Sequence, residues 1–368
     1  MNPIENSIED NSQPLIQDPF PVVQSDESQP IYMGKEFHFK FHGKAMEYFG
    51  IWIVNILLTI ATLSLYAPWA KVRRLRYFYG NTEFFERFFD FTGVPVKILI
   101  GRLIAIGIWA FFAIASSMDL WIAAFGGLLI YVALPWLIRA TIRFNARNSK
   151  FGNSRFYFSG TNKEAYKKSI IAFLIMIFSL GLLTPVAIWI YKKYVLDHLY
   201  VGQLKFQLNN KSMSYMAPVY FPIILFATIM IILILAGAFF SSLVISSSQS
   251  IILMIIAFYT VAILFIGPLI QARIFIVTWN NTSLGGSQFK TNCSQWRYAW
   301  IVGSNWIAKI LSLGLLSAWA AIRIYRYQLE SLTLTLNDDP NLMINIAQND
   351  HNALAEEISD IFDIDISL

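Results

Sequence analysis

Apolar and polar positions along this chain follow two rhythms, and both recur. The short rhythm has a period of two. Residues 37–43 (FHFKFHG) place Phe37, Phe39 and Phe41 on one face of a strand and His38, Lys40 and His42 on the other. The pattern returns as Phe89-Asp90-Phe91-Thr92-Gly93 and Phe156-Tyr157-Phe158-Ser159-Gly160. Weaker copies are Phe206-Gln207-Leu208 and Phe289-Lys290-Thr291, and residues 331–336 (SLTLTL) alternate in the same way.

The second rhythm is an apolar helix that meets a break and continues as a basic aromatic segment. Residues 55–79 read NILLTIATLSLYAPWAKVRRLRYFY, residues 179–194 read SLGLLTPVAIWIYKKY, and residues 312–327 read SLGLLSAWAAIRIYRY. The second and third copies are displaced by 117 and 250 residues, and the same offsets carry Gly43 to Gly160 and Phe39 to Phe289. A motif recurring at shared offsets marks a repeat-built chain. The implied organisation is an acidic tail over 1–34, a first repeat over 35–150, a second over 151–283 and a partial third over 284–337. A second acidic tail covers 338–368, with a short amphipathic helix at 352–362.

Long apolar runs at 48–69, 96–116, 120–138, 169–191, 218–240, 251–271 and 300–322 are each close to the ~20 residues that cross a hydrocarbon core. The expected fold is therefore mainly α: a polytopic helical membrane protein with about seven membrane segments in internal pseudo-repeats and short β-strands at the membrane surface. Composition agrees. Of the 368 residues 56% are hydrophobic and only 14% charged, and the mean hydropathy is +0.52. So few charges cannot cover the surface of a soluble protein of this size. The net charge of +5 conceals a segregation, because all 28 Lys and Arg lie between residues 35 and 326, leaving both tails acidic.

Two topologies remain open. If all seven segments cross, the positive-inside bias is weak. If the three motif helices re-enter instead, only the two helical hairpins cross. Every basic loop and strand then falls on the inner side, opposite the two hairpin loops, which contain no Lys or Arg. Segment length favours seven crossings; charge favours re-entry.

Few residues carry candidate chemistry. Asn55 and Asn305 are equivalent by the 250-residue offset, and Lys309 lies one turn beyond Asn305, where an intramembrane charge normally faces protein or water. Lys71, Arg73, Arg74 and Arg76, with Lys193 and Arg326 as the counterparts of Arg76, are candidate contacts for an anionic lipid or substrate. Each of the last three is followed by a tyrosine: Tyr77, Tyr194 and Tyr327. Interfacial anchoring explains the basic run equally well. There is no P-loop, no G-x-S-x-G, no H-E-x-x-H and no intramembrane carboxylate pair. The one cysteine, Cys293, excludes an internal disulfide framework. No catalytic residue, cofactor, metal site or nucleic-acid partner is expected; the expected partners are membrane lipids with anionic headgroups.

Asn55-x-Leu57-Leu58-Thr59, Thr62-Leu63-Ser64-Leu65-Tyr66-Ala67-Pro68-Trp69-Ala70-Lys71, Arg73-Arg74-x-Arg76-Tyr77-Phe78 and Asn81-Thr82 carry a resemblance. So do Phe89-x-Phe91-x-Gly93 and the closing Phe362-Asp363-Ile364-Asp365-Ile366-Ser367-Leu368. In these the chain resembles the YjgN family of bacterial inner-membrane proteins, whose function is uncharacterised. The family pattern favours glycine where this chain has Ser64. The resemblance implies a multi-pass protein of the bacterial inner membrane and brings no substrate. Two function classes follow: a transporter or channel for a small or lipidic solute, or a non-transporting scaffold that binds lipid and envelope partners.

Overall fold

The computed structural model describes residues 33–116, 120–152, 154–243 and 248–343. The amino-terminal acidic tail to residue 32 and the expected helix at 352–362 lie outside the described residues. The chain begins with β1 (Glu36–His38) and β2 (Lys40–Phe41), α1 (Ala45–Ala61), α2 (Ala67–Gly80) and β3 (Thr82–Phe84). Then come β4 (Arg87–Phe91), α3 (Pro95–Ser116), α4 (Leu120–Asn148) and β5 (Ser149–Phe151), followed by β6 (Ser154–Phe158), α5 (Asn162–Phe178), α6 (Thr184–Leu196) and β7 (Leu199–Val201). The rest is β8 (Leu204–Leu208), α7 (Met216–Leu243), α8 (Ser248–Trp279), β9 (Thr282–Leu284), β10 (Ser287–Thr291), α9 (Gln295–Leu311), α10 (Ser317–Glu330) and β11 (Leu332–Thr335). The order of long strand, two helices and short strand is thus run through five times.

The expected strands form, but as one sheet rather than as separate surface elements. Each short strand pairs antiparallel with the long strand before it and with the long strand after it. β1 pairs with β11 (Phe37 opposite Leu334), β2 pairs with β3 (Lys40 opposite Glu83), and Phe39 alone separates β1 from β2. One nearly continuous strand therefore joins both ends of the 11-stranded sheet into an almost closed antiparallel barrel. Because the long strands all run the same way, the ten α-helices among the described residues leave from one end of the barrel and the tight turns occupy the other.

Phe39, Phe89, Phe156, Phe206 and Phe289, one from each alternating motif, form a circuit inside the sheet. Successive ring centroids are 6.4, 6.3, 6.4 and 5.9 Å apart, and the last closes on the first at 6.5 Å. Phe84, Phe151, Leu208, Leu284, Leu334 and Leu336 complete this core. The alternate residues His38, Lys40, Asp90, Lys205 and Lys290 are exposed, so the barrel wall is apolar inside and polar outside, as in water.

This architecture corrects the expected seven helical spans with surface strands. The stretches 48–69, 169–191 and 300–322 do not run through. Each is a helix of 17 residues, a turn, and a returning helix of 14, 13 and 14 residues respectively. The cause is a Schellman stop in the same register three times. Leu63, Leu180 and Leu313 turn left-handed at φ 48, 50 and 50°. The N–H of the next residue (Ser64, Gly181, Gly314) donates to the carbonyl five residues back (Thr59, Met176, Lys309) at 2.7–2.8 Å. The hydroxyls of Thr62, Ser179 and Ser312 then accept from the N–H of Tyr66, Leu183 and Leu316, all at 3.0 Å, starting the returning helix. Pro68 thus stands in the first turn of α2, where its missing N–H costs nothing. Four helical stretches among the described residues are long and apolar enough to cross a membrane: Pro95–Ile114, Ala124–Asn148, Ser212–Ala236 and Phe258–Trp279.

Candidate functional site

The junction of barrel and helices explains several residues singled out by the sequence. Arg76 donates from Nε to the Phe91 carbonyl (3.1 Å) and from its guanidinium to the Gly93 carbonyl (3.3 Å), where the next unit leaves its long strand. Its counterparts do the same. Lys193 donates to the Leu208 carbonyl (2.9 Å) and pairs with Asp197 (2.8 Å), and Arg326 donates to the Gly43 carbonyl (2.7 Å). Arg139, in α4, donates to the Gly160 carbonyl at 2.6 Å; sequence reasoning passed over it because it lies four positions, one helical turn, earlier than the others relative to the short strand that follows. These four cations clasp adjacent units. The tyrosines are equally architectural. Tyr77 and Tyr327 each accept from and donate to the backbone of the residue that opens the first helix of their unit, Lys44 (2.8 and 2.9 Å) and Ser294 (2.9 and 3.2 Å). Tyr194 donates to the Thr161 carbonyl at 3.3 Å.

Asn55 and Asn305 brace their own hairpins. Asn305 is 1% exposed. Its Nδ2 donates to the Ala320 carbonyl (3.2 Å), and its Oδ1 accepts from Arg323 (3.0 Å). Asn55 makes the same pair of bonds, longer, to the Ala70 carbonyl (3.5 Å) and from Arg73 (3.4 Å); Arg73 also reaches the Tyr66 hydroxyl (3.2 Å). Lys309 is half-buried, with Nζ 5.4 Å from the Trp306 ring centre. Side chains lean toward the start of their helix, which for α9 is the barrel end, so Lys309 leans back from near the hairpin tip toward the barrel.

Lys71 and Arg74 are different. Neither makes an ion pair with any described residue, and both line a groove of about 600 Å³ between α1, α2 and α10. Tyr48, Trp52, Asn55, Ile56, Thr59 and Ile60 form one wall, Ala67 and Ala70 the second, and Ser317 and Ala321 of the adjoining unit the third. The groove combines two cations, hydrogen-bonding side chains and an apolar floor.

The equivalent groove between α4, α5 and α6 encloses about 450 Å³ and is apolar apart from Lys168 and Ser169 at one side. There Ala172, Met176 and Tyr191 occupy the places of Asn55, Thr59 and Arg74. In the fifth unit that face is covered by α8, whose Phe265 ring lies 3.3 Å from where a Cβ on Gly303 would stand. A further concavity of about 380 Å³ beside α9 and α10 gathers Arg297, Arg323 and Arg326 with Trp300 and Trp319, the residue types that settle at headgroup level.

The family model described as bacterial protein of unknown function (DUF898) matches residues 36–361. The chain belongs to this family. Among curated proteins it is similar to inner membrane protein YjgN of Escherichia coli K12, 29% identical over 146 residues, 39% of this chain and 36% of the relative. The same protein of Escherichia coli O157:H7 is 28% identical over the same shares, and that of Salmonella typhimurium LT2 27% identical over 34% of this chain and 32% of the relative. The matched stretch thus spans about a third of the length of these curated relatives. No solved structure matches. Together with the four apolar helical stretches, these relatives make the chain a bacterial inner-membrane protein of the YjgN family.

Proposed function

We propose that the protein is a lipid-binding component of the inner membrane, holding the headgroup of an anionic bilayer lipid in the groove between α1, α2 and α10. The observation that carries this is the pair Lys71 and Arg74, cations with no carboxylate partner among the described residues, beside Asn55 and Thr59 and above an apolar floor. Each such cation at an anionic surface contributes about 1 kcal/mol, and α1 supplies Ile56 and Ile60 for the first carbons of the acyl chains. The barrel stands on the cytoplasmic side in this reading. The basic residues gather at its end of the helices, and neither segment joining α3 to α4 nor α7 to α8 contains Lys or Arg.

A transporter is supported less well. The inside of the barrel is an apolar core lined by the Phe circuit, with no charged residue among those described to receive a polar solute, and Lys309 has an interfacial explanation. The test uses the purified full-length chain in nanodiscs of phosphatidylcholine with a titrated fraction of phosphatidylglycerol. Native mass spectrometry is expected to find phosphatidylglycerol retained, and Lys71→Gln/Arg74→Gln to lose about 30-fold in retention, at a cost of roughly 1 kcal/mol per cation. Lys168→Gln is expected to change retention little. Equal retention by the wild type and the double variant would sink the reading.

A further inference from the structure

The three short hairpins pose a question that lipid binding does not answer: what surrounds their tips. Leu63, Leu180 and Leu313, the left-handed residues of the three stops, are 90, 93 and 94% exposed. Phe178 and Leu311 next to them are 84 and 81% exposed. No charged residue falls within 57–65, 174–183 or 310–316. In water, three such tips on one end of a molecule would make a large exposed apolar surface of the kind that marks a contact with membrane or partner.

Three observations identify the surroundings as lipid hydrocarbon. First, the hairpins leave the same end of the barrel as α3, α4, α7 and α8, and they pack beside those helices: α5 lies against α4 and α9 against α8. The tips therefore point into the layer that the four long helices cross. Second, the turns satisfy their own backbone. The helix-ending N–H groups find carbonyls five and three residues back, and the N–H that starts each returning helix finds the hydroxyl of Thr62, Ser179 or Ser312. A non-helical turn at membrane depth is tolerated only when its polar groups are satisfied in this way. Third, the lengths divide the helices into two classes. A 17-residue helix reaches about 25 Å at ~1.5 Å per residue, short of the ~30 Å hydrocarbon core, whereas the 22 to 32 residues of α3, α4, α7 and α8 reach about 33–48 Å and span it.

We infer that α1–α2, α5–α6 and α9–α10 are re-entrant hairpins. They enter the membrane from the barrel side, bury Leu63, Leu180 and Leu313 among acyl chains, and return without crossing. The leaflet facing the barrel then receives ten helices, and the opposite leaflet only the four long ones. Lys309 fits this placement, since a cation one turn from a tip reaches back along α9 over Trp306 toward the barrel-side interface. The inference stands apart from the headgroup groove and survives if that groove binds nothing.

The experiment is site-directed cysteine mapping on the full chain with the single, buried Cys293 replaced by serine. Cysteines are placed at Leu63, Leu180 and Leu313, at Trp121 near the far end of the α3–α4 hairpin, and at Lys205 on the barrel wall. In intact spheroplasts a membrane-impermeant maleimide is expected to label Trp121→Cys alone. Permeabilised cells are expected to add Lys205→Cys, with the three tip cysteines still unlabelled. Spin labels at the tips, in protein reconstituted in liposomes, are expected to collide freely with oxygen and poorly with a water-soluble nickel chelate, as in hydrocarbon. Labelling of a tip from outside would overturn the inference in favour of a crossing helix. Ready collision with nickel would place the tip in water, and poor collision with both probes would place it against a second copy of the chain; either result also overturns it. The tips are so exposed that these substitutions leave the fold intact, and expression of each variant by gel filtration checks this directly.

Discussion

The α1–α2 and α5–α6 hairpins have one backbone and two linings. Both turn on a left-handed leucine, both open their returning helix with a side-chain hydroxyl, and both are tied to the barrel by a tyrosine and a basic residue. Yet Asn55, Thr59 and Arg74 in the first stand where Ala172, Met176 and Tyr191 stand in the second. The difference teaches where function and architecture separate. Residues that stop, return and clasp the helices are common to the hairpins, because each must solve the same backbone problem. Residues facing the groove are released from that duty and can differ, so the polar lining of the first hairpin is the part with chemistry to offer.

If the barrel is the common platform of both hairpins, damage to it should abolish the distinction between them. Phe289→Ala removes one ring from the Phe circuit and is expected to cost about 3–5 kcal/mol. Thermal unfolding in detergent should show both hairpins released together; loss of protease protection in one alone would refute a shared platform.

Next in size is the polar brace that the first and fifth hairpins have and the third lacks. Asn305→Ala removes a buried amide together with its bonds to the Ala320 carbonyl and the half-buried Arg323, so about 1–3 kcal/mol should be lost. Asn55→Ala, whose bonds are 3.4–3.5 Å long, should lose less. A reversed order in the melting temperatures would show that the two braces are not equivalent.

The turns sharpen the comparison further. Ser64 holds φ at 72° where the other two hairpins have Gly181 at 83° and Gly314 at 90°. A left-handed conformation costs a residue with a Cβ about 1–2 kcal/mol, so Ser64→Gly should stabilise by roughly 1 kcal/mol and Gly314→Ala should destabilise by a similar amount. Opposite shifts in the unfolding midpoint would check this pair.

The smallest effect belongs to the third hairpin alone, where Thr161 and Glu164 form a capping box that Lys44 and Ser294 do not reproduce. Burial opposes ionisation of Glu164, but the Thr161 N–H, the neighbouring His198 and the Thr161 hydroxyl outweigh it and hold its carboxyl below the ordinary value. A lowered folded-state pKa contributes stability above the unfolded carboxylate range and loses it as pH falls through the folded value. Glu164→Gln should therefore flatten the acid side of the stability profile slightly, since the side chain is 44% exposed. An unchanged profile would remove the role given to this cap.

Much of the architecture was legible in local pattern. The five alternating motifs are the five long strands, and the offsets of 117 and 250 residues relate hairpins with matching turns. Arg76, Lys193 and Arg326 stood out as equivalent bases, although their use as clasps was invisible because the carbonyls they meet belong to the next unit. The groove was half legible. Asn55, Lys71 and Arg74 were candidates, but Ser317 and Ala321, which complete it, lie some 250 residues away on α10.

What the amino-acid order determined alone was the pattern with a short period: strand faces, the positions of the apolar helical stretches, the apolar excess that demands a membrane, and the segregation of charge. Hydrogen-bonding and burial within a few residues suffice for these. Two matters were decided only by tertiary structure. Closure of the barrel depends on Phe37 meeting Leu334, a pairing between the two ends of the described chain that no local pattern encodes. Whether an apolar stretch of about 20 residues crosses or turns back depends on two consecutive left-handed residues in its middle. At Leu63 that conformation is adopted without glycine, because the stop's hydrogen bonds and the packing of α2 on α1 outweigh its strain.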